Sequence, residues 1–501
     1  MNTRVTVFLI AFGGFIVRFL RLGTIENDHY VYLARAHQML HGDWPVRDFV
    51  DPGFTFGYLL SAGAAALTGP SLLTEAVVSV AFFTIALAVT FWLVQRACGS
   101  TAVGVLMSAA LVLFPPRLYN SSKMMVLVVA IAIAWAYSGR PTRGRAAALG
   151  LWTAVAFLFR HDYAVYIAAA ALVMLGVQHR HDRRLLLDRA LIIAVVSLGA
   201  VAPWLIYVQL EQGLPAYLSA AMRFSEAESN RTVSHWSPIY YVMTAVPAAA
   251  LLIGLRGNRG LSAAQVTFAT VLVVVSDLVL LRDAPGARLP DVYATTAIAG
   301  AIALGALAPP QSRSGLGWKT TVLVLFAVVA ATCVWLISQR SVTRSVGLLS
   351  RWHQVATRLR EARPEIMPNP ERALLVAYIE RCTATDERVL VGGFGPELPV
   401  LSHRAFAGGL PDWIRGYYDF PADVARARTQ LARERVGVAV MLDGGDAFAA
   451  SWPALASDLR DRAFQPHYLQ LSTGPVELWI PPRIARDRLT GLPCVDANSS
   501  R

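Results

Sequence analysis

The sequence predicts a polytopic α-helical membrane protein that ends in an α/β domain outside the cytoplasm, and three observations predict it. Hydrophobic residues make up 55% of the 501-residue chain and the mean hydropathy is +0.47, above what a soluble globular chain carries. Apolar runs of spanning length recur through the first two thirds of the chain. From about Ser341 onward the composition changes to that of a soluble domain.

Runs that reach roughly 17 to 25 residues once frayed ends are included can cross a bilayer. They fall near 5–22, 73–95, 101–117, 124–138, 146–160, 162–178, 190–210, 238–255, 261–281, 291–309 and 319–338. The first resembles a signal peptide, but no small-residue cleavage site precedes Glu26 to Asp28, so it reads as a retained signal-anchor. The run Phe54 to Thr68 is barely long enough to cross. Asp51 and Pro52 suit it as N-cap and first helical residue, and Gly69-Pro70 stops it.

Loop charge decides whether that run crosses. If it does not, Arg96, Arg140/Arg143/Arg145, Arg180/Arg183/Arg184/Arg189, Arg256/Arg259 and Arg313/Lys319 all share the side of Arg4. Short arginine-rich loops belong in the cytoplasm. The run therefore reads as a surface helix, which leaves eleven spans, a cytoplasmic N-terminus and an extracytoplasmic C-terminal domain. Residues 1–340 form the transmembrane domain, with a first outer loop at 23–72, and 341–501 form the C-terminal domain. No internal repeat is visible.

The outer loop from Gly23 to Asp51, GTIENDHYVYLARAHQMLHGDWPVRDFVD, crowds charged and aromatic residues against a membrane surface. Polarity kept there points to a water-facing site. Asn27 can cap a helix starting at Asp28, with Tyr32, Leu33, Ala36, Met39 and Leu40 on one face and Gly42 as the stop. Asp28 then lies in the first turn, where a partly desolvated carboxylate can have its pKa raised toward that of a general base. Glu26 and Asp48 are further candidates, and a water-exposed helix cap is the ordinary role for such an Asp.

Other polar groups fall on the same outer side. Arg160-His161-Asp162 is a tight turn between spans that either lines the site or merely connects. Lys123, one of only two lysines, stands near Arg117, Tyr119 and Asn120 and can bind a phosphate or anchor its span. The stretch AMRFSEAESNRTVSHW carries Arg223, Glu226, Glu228, Arg231 and His235 and reads as a long loop able to fold over a cavity. Asp277 lies inside an apolar run and calls for a partner, which Arg282 or Arg288 can supply; those arginines also suit a lipid-linked phosphate.

In the C-terminal domain, 388–394 and 436–445 read as buried strands followed by glycine turns, 421–435 and 450–462 as helices, and 469–480 as a hairpin about Thr473-Gly474-Pro475. The glycines of VGGFGPE lack both the P-loop lysine and dinucleotide-binding spacing, which argues against a nucleotide site. The tail after Ala485 reads as disordered. The cysteines are Cys98, Cys333, Cys382 and Cys494, with no metal-ligand spacing; Cys382 and Cys494 can pair in an oxidising compartment, though spacing does not establish it. The net charge of +12 resides largely in orienting loops and does not indicate nucleic-acid binding.

Taken together, the acidic residues after the first span (Glu26-Asn27-Asp28), the aromatic stretch HYVYLARAHQMLHGDWPVRDF, the proline-led DPGFTFGYLLSA, the phrase YIERCTATDERVLVGGFGPELPVLSHR and the outer C-terminal domain resemble the GT-C glycosyltransferases. The likeness is to their protein mannosyltransferase and lipid A aminoarabinose transferase branch. The resemblance implies a membrane enzyme that moves a sugar with inversion from a polyprenyl phosphate to an envelope glycan, lipid or protein, with Asp28 as base. It implies phosphate ligands drawn from Arg223, Arg231, Arg282 and Arg288; independently of the family, a donor already activated needs no cofactor. One feature departs from the family: the outer turn FPPRLYNSSK lacks the second acid often found there, so that either Asp162 or Asp48 does its work or the second acid is dispensable here. The missing acid argues against a metal. The competing reading, a transporter or flippase of a lipid-linked or anionic substrate, expects charges at the bilayer midplane and paired repeats.

Overall fold

The computed structural model describes residues 3–229, 238–257, 261–277, 285–307 and 348–495, without the side chains of 228–229, 238–244, 257 and 285–288. The expected span at 319–338 lies outside the described residues. The chain divides into two units. One comprises 1–21, 76–206 and 228–354; the other comprises 22–75, 207–227 and 355–501.

The first unit is helical. It draws on α1 (Thr3–Leu20), α4 (Leu72–Cys98), α5 (Thr101–Leu113), α6 (Ser121–Gly139), α7 (Arg143–Phe159), α8 (His161–Gln178), α9 (Arg183–Glu211), α11 (Pro238–Gly257), α12 (Ala263–Asp277) and α13 (Pro285–Leu307). Among the described residues six helices are long and apolar enough to cross a membrane, and four shorter apolar helices accompany them. With the sequence pattern, this makes the chain an integral membrane protein. Leu187, Leu191, Val195 and Leu198 form a stripe along α9, each more than half exposed. A hydrocarbon environment accommodates such a stripe. Glycines bring helices together: a Cβ at Gly150 would lie 2.6 Å from the Ile193 carbonyl oxygen, a contact of the small-residue kind that membrane helices use. α5 ends at Leu113, short of the expected 117, because Pro115-Pro116 disfavours helix before it.

The second unit carries α2 (Asn27–Leu40), α3 (Thr55–Thr68), α10 (Leu214–Ser229) and the C-terminal domain. Its main sheet has the order β1-β2-β4-β3, from β1 (Arg388–Gly392), β2 (Val436–Met441), β3 (Gln465–Leu471) and β4 (Gly474–Ile480). β1 and β2 are parallel, whereas β4 runs antiparallel to both of its neighbours. A parallel pair needs a long connection, and the Pro421–Leu431 helix lies within it. Leu390, Val438, Val440 and Leu478 are fully buried in the sheet core.

Several local expectations change. The stretch after Glu211 folds as helix α10 rather than as a loop, and Phe224 and Ala227 on it pack against the core holding Leu410, Trp413 and Tyr417. The expected helix over 450–462 is two helices, Gly445–Ser451 and Pro453–Asp461, broken at Trp452-Pro453. Residues 485–495, expected to be disordered, are held in place: β5 (Ala485–Arg486) pairs with β6 (Pro493–Cys494), and a Cys382–Cys494 disulfide fastens them. The main-sheet hairpin turns at Ser472-Thr473, one position earlier than expected, with Pro475 opposite Gln470.

Candidate active site

Helix α2 organises the candidate site. Its N-cap is Glu26 rather than Asn27, with no side-chain cap bond, and the Ile25 amide is held by the Ile366 carbonyl at 2.9 Å. Asp28 lies in the first turn, half-buried, where the helix dipole favours a carboxylate. The stop at Gly42 is as expected, with φ +91°. The buried face differs from the expected apolar one: it is His29, Tyr30 and Ala34 to Gln38, whereas Leu40 is 38% exposed. The reason is polar. Gln38 exchanges two hydrogen bonds with the backbone of Phe406, 3.1 Å to its carbonyl and 2.9 Å from its amide, so partners remote in sequence outweigh apolar periodicity.

Two turns beyond Asp28 on the same helix, Arg35 anchors a buried charge cluster. Arg35 is fully buried; it donates to the carbonyls of Val50 and Val31 at 3.0 Å each and to the Tyr418 hydroxyl at 3.5 Å. Asp412 and Asp51 supply the opposing charge. A buried guanidinium needs such partners. Asp51 accepts from the amides of Gly53 (2.9 Å) and Phe54 (3.0 Å), from the Thr55 hydroxyl and from Tyr217 Oη (3.2 Å). It therefore fastens the turn ahead of α3, which begins at Thr55 with Phe54 as N-cap instead of at Pro52.

Sequence reasoning missed Asp412. Its carboxyl is 2% exposed and one oxygen has no hydrogen-bond partner among the described residues. Burial pushes its pKa up to about 7, against the pull of Arg35, with Glu397 and Asp28 adding to the rise. Asp412 thus feels the charge of both Glu397 and Asp28. Arg372 donates to Glu397 at 2.6 Å, and burial, with Glu397 adding to it, raises the pKa of Tyr30. His29 Nε2 lies 2.9 Å from Glu75 Oε1, out of line for a hydrogen bond. Only one local signal marked Asp412: a carboxylate inside the otherwise apolar run GGLPDW.

The remaining candidates divide between the units. Glu26, Asp28, Asp48 and Arg223 belong to the second, and Lys123, Arg160 and Asp162 to the first. One oxygen of Glu26 is buried without a hydrogen-bond partner among the described residues. Asp48 closes its own turn, accepting from the Trp44 amide at 2.7 Å and pairing with Arg47 at 2.6 Å. Arg223 faces Asp423 at 3.8 Å and donates to Ser219 Oγ at 2.7 Å. The Lys123 ammonium sits 4.8 Å from the centre of the Tyr119 ring, while Arg160 pairs with Asp162 at 2.7 Å. Arg231, Arg282 and the side chain of Arg288 lie outside the described residues. Among the described residues one group could offer metal ligands, Cys382, Asp487 and Cys494, and its two sulfurs are joined in the disulfide.

No family model and no curated relative matches the sequence. Solved structures do. ArnT from Cupriavidus metallidurans bound to undecaprenyl phosphate matches at 16% identity with a TM-score of 0.58, covering 95% of this chain and 97% of that one. The same protein in the apo state matches at 14% identity and a TM-score of 0.57, with the same coverage. At such identities the likeness shows the fold: the chain is folded like that ArnT over nearly its whole length, the C-terminal domain included.

Proposed function

We propose that this chain is a membrane glycosyltransferase that moves a sugar from a polyprenyl-phosphate donor, of the undecaprenyl type, to an extracytoplasmic envelope glycan, lipid or protein. One observation carries the reading: 95% of the chain shares the fold of an ArnT solved with undecaprenyl phosphate bound. The chemistry agrees with the residues present. Asp28, in the first turn of α2, takes the proton of an acceptor hydroxyl; the oxygen attacks the anomeric carbon from the face opposite the phosphate, and the polyprenyl phosphate departs with the bonding electrons. Configuration inverts. Because the donor is already activated, the reaction calls for no cofactor.

Cations must meet the departing phosphate, and Lys123, Arg160, Arg223, Arg231, Arg282 and Arg288 are the pool from which they come. Asp162, paired with Arg160, holds that guanidinium in place. Arginine-rich loops orient the chain in the plasma or inner membrane with the N-terminus cytoplasmic and the C-terminal domain outside. Deletion of the protein should leave its donor unused, so mass spectrometry of lipid-linked sugars in the deleted strain should show an accumulated polyprenyl-phosphate sugar and name it. Complementation with Asp28→Asn should restore less than about a hundredth of the transfer rate, since a general base contributes roughly 10²- to 10⁴-fold. Full modification by a correctly inserted Asp28→Asn protein defeats the assignment.

A further inference from the structure

The C-terminal domain contains a cavity that the proposed reaction does not use. Its volume is about 530 Å³, within the roughly 300–1,000 Å³ typical of ligand sites. It opens where the parallel strands β1 and β2 end, at Gly392 and Met441, the edge of an α/β sheet at which ligands commonly bind. Glycines form part of its wall. A Cβ at Gly392 would come within 2.7 Å of the Phe448 ring, whereas at Gly444, with φ +91°, nothing lies within 4 Å. The cavity is open beside that backbone. Phe448 and Trp452, ring centres 5.2 Å apart, close it on the inner side.

The polar lining selects the ligand. Arg415, Asp419, Asp443 and Ser451 border the space. Asp419 accepts from the Gly416 amide at 2.6 Å; among the described residues, Arg415, Asp443 and Ser451 have no hydrogen-bond or ion-pair partner. Two carboxylates disfavour an anion. The Gly445 amide, which a phosphate would need, is already taken by Glu477 at 2.7 Å. Arg415 in turn disfavours a cation. What suits donors and acceptors of both signs beside aromatic rings is a neutral ligand rich in hydroxyls, because each hydroxyl both donates and accepts.

We propose that this cavity is a carbohydrate-binding subsite seating one or two sugar residues of a glycan. Binding stands on the cavity alone; assigning that glycan as the acceptor rests on the proposed function. The test uses the full chain in lipid nanodiscs and the methyl glycosides of glucose, galactose, mannose and N-acetylglucosamine with their disaccharides, read by saturation-transfer NMR. At least one should bind. Affinity should fall at least tenfold in Asp443→Ala and in Ala447→Trp, which fills the cavity, and should be unchanged in Asp28→Asn. If no glycoside binds, or binding survives both cavity variants, the subsite is refuted. Sugar transfer lost in Asp28→Asn with no glycoside bound would sink the subsite and leave the reaction standing. If the glycan is the acceptor, Asp443→Ala raises its KM at least tenfold with kcat unchanged.

Discussion

Replacing Asp412 by Asn should flatten the pH dependence of the C-terminal domain's stability. The carboxyl is buried and its pKa stands at about 7 against an ordinary 3.8, a difference of about three units, with burial the first cause. At 1.36 kcal/mol per unit this corresponds to about 4 kcal/mol. The sign follows from proton binding. Between those two values the native state holds a proton that the unfolded state has lost, so the contribution is complete below the unfolded pKa and disappears as pH rises through the native one. Between pH 5 and pH 8 the wild type should therefore lose about two units' worth, about 3 kcal/mol, through this group. Asn has the same shape and no proton to lose, so Asp412→Asn should lose about 3 kcal/mol less over that range. Hydrogen exchange at the β1 and β2 amides of the full chain, measured at both pH values and corrected for intrinsic rates, gives the opening free energies directly. Parallel pH curves for the two proteins would show that Asp412 is ionised across this range and refute the reasoning.

The remaining expectations concern other elements. Cys494→Ser removes the disulfide that joins residues 112 apart in sequence and should cost the C-terminal domain about 2–4 kcal/mol, read as a lower thermal midpoint that a reductant no longer changes; a midpoint equal to that of the oxidised wild type would be the contrary result. Gly305→Ala places a Cβ 2.2 Å from the Ala97 carbonyl oxygen, and backbone cannot give way as a side chain does. A loss of about 1–3 kcal/mol is expected, measured as reduced thermal stability in detergent; an unchanged midpoint would show that the helices separate freely. Asn120→Ala removes the amide that donates to the Asp291 carboxylate at 2.8 Å and should cost about 1–3 kcal/mol, measured as a lower thermal midpoint in detergent; an unchanged midpoint would show that this bond contributes nothing to stability.

What the sequence revealed depended on how local the determining physics was. The α2 helix, its stop at Gly42 and the strands at 388–392 and 436–441 follow from spacing and turn chemistry within a dozen residues, and each is present. The face that α2 buries was not legible, because Arg35 and Gln38 are satisfied by Tyr418 and Phe406, more than 360 positions away. Helix α10 was hidden for a related reason. Its polar stretch AMRFSEAES carries little apolar periodicity, and packing of Phe224 against Tyr417, with ring centres 5.6 Å apart, helps hold what the local pattern does not. For the candidate site the split is similar: Asp28 could be named from its position after the first span, whereas Asp412 becomes visible only once the chain has folded back.

The acid missing from the turn FPPRLYNSSK bears on the same distinction. Residue 120 in that turn is Asn, and its amide donates to the Asp291 carboxylate at 2.8 Å. The turn therefore holds a carboxylate in space that it lacks in sequence, delivered by α13 from 171 positions away. An amide facing a carboxylate is a charge-assisted bond with a fixed direction, so the pair orients the Asp291 oxygens where two facing acids would repel. Within the other unit, burial raises the pKa of Asp412, and Glu397 and Asp28 add to the rise. Its proton affinity allows two neighbouring acids to coexist near neutral pH, because one of them remains partly protonated. A fold that needs carboxylates in particular places can thus draw them from different elements, provided each is either hydrogen-bonded by an amide or kept partly neutral. That condition is set by burial and partners, which the order of residues along the sequence does not display.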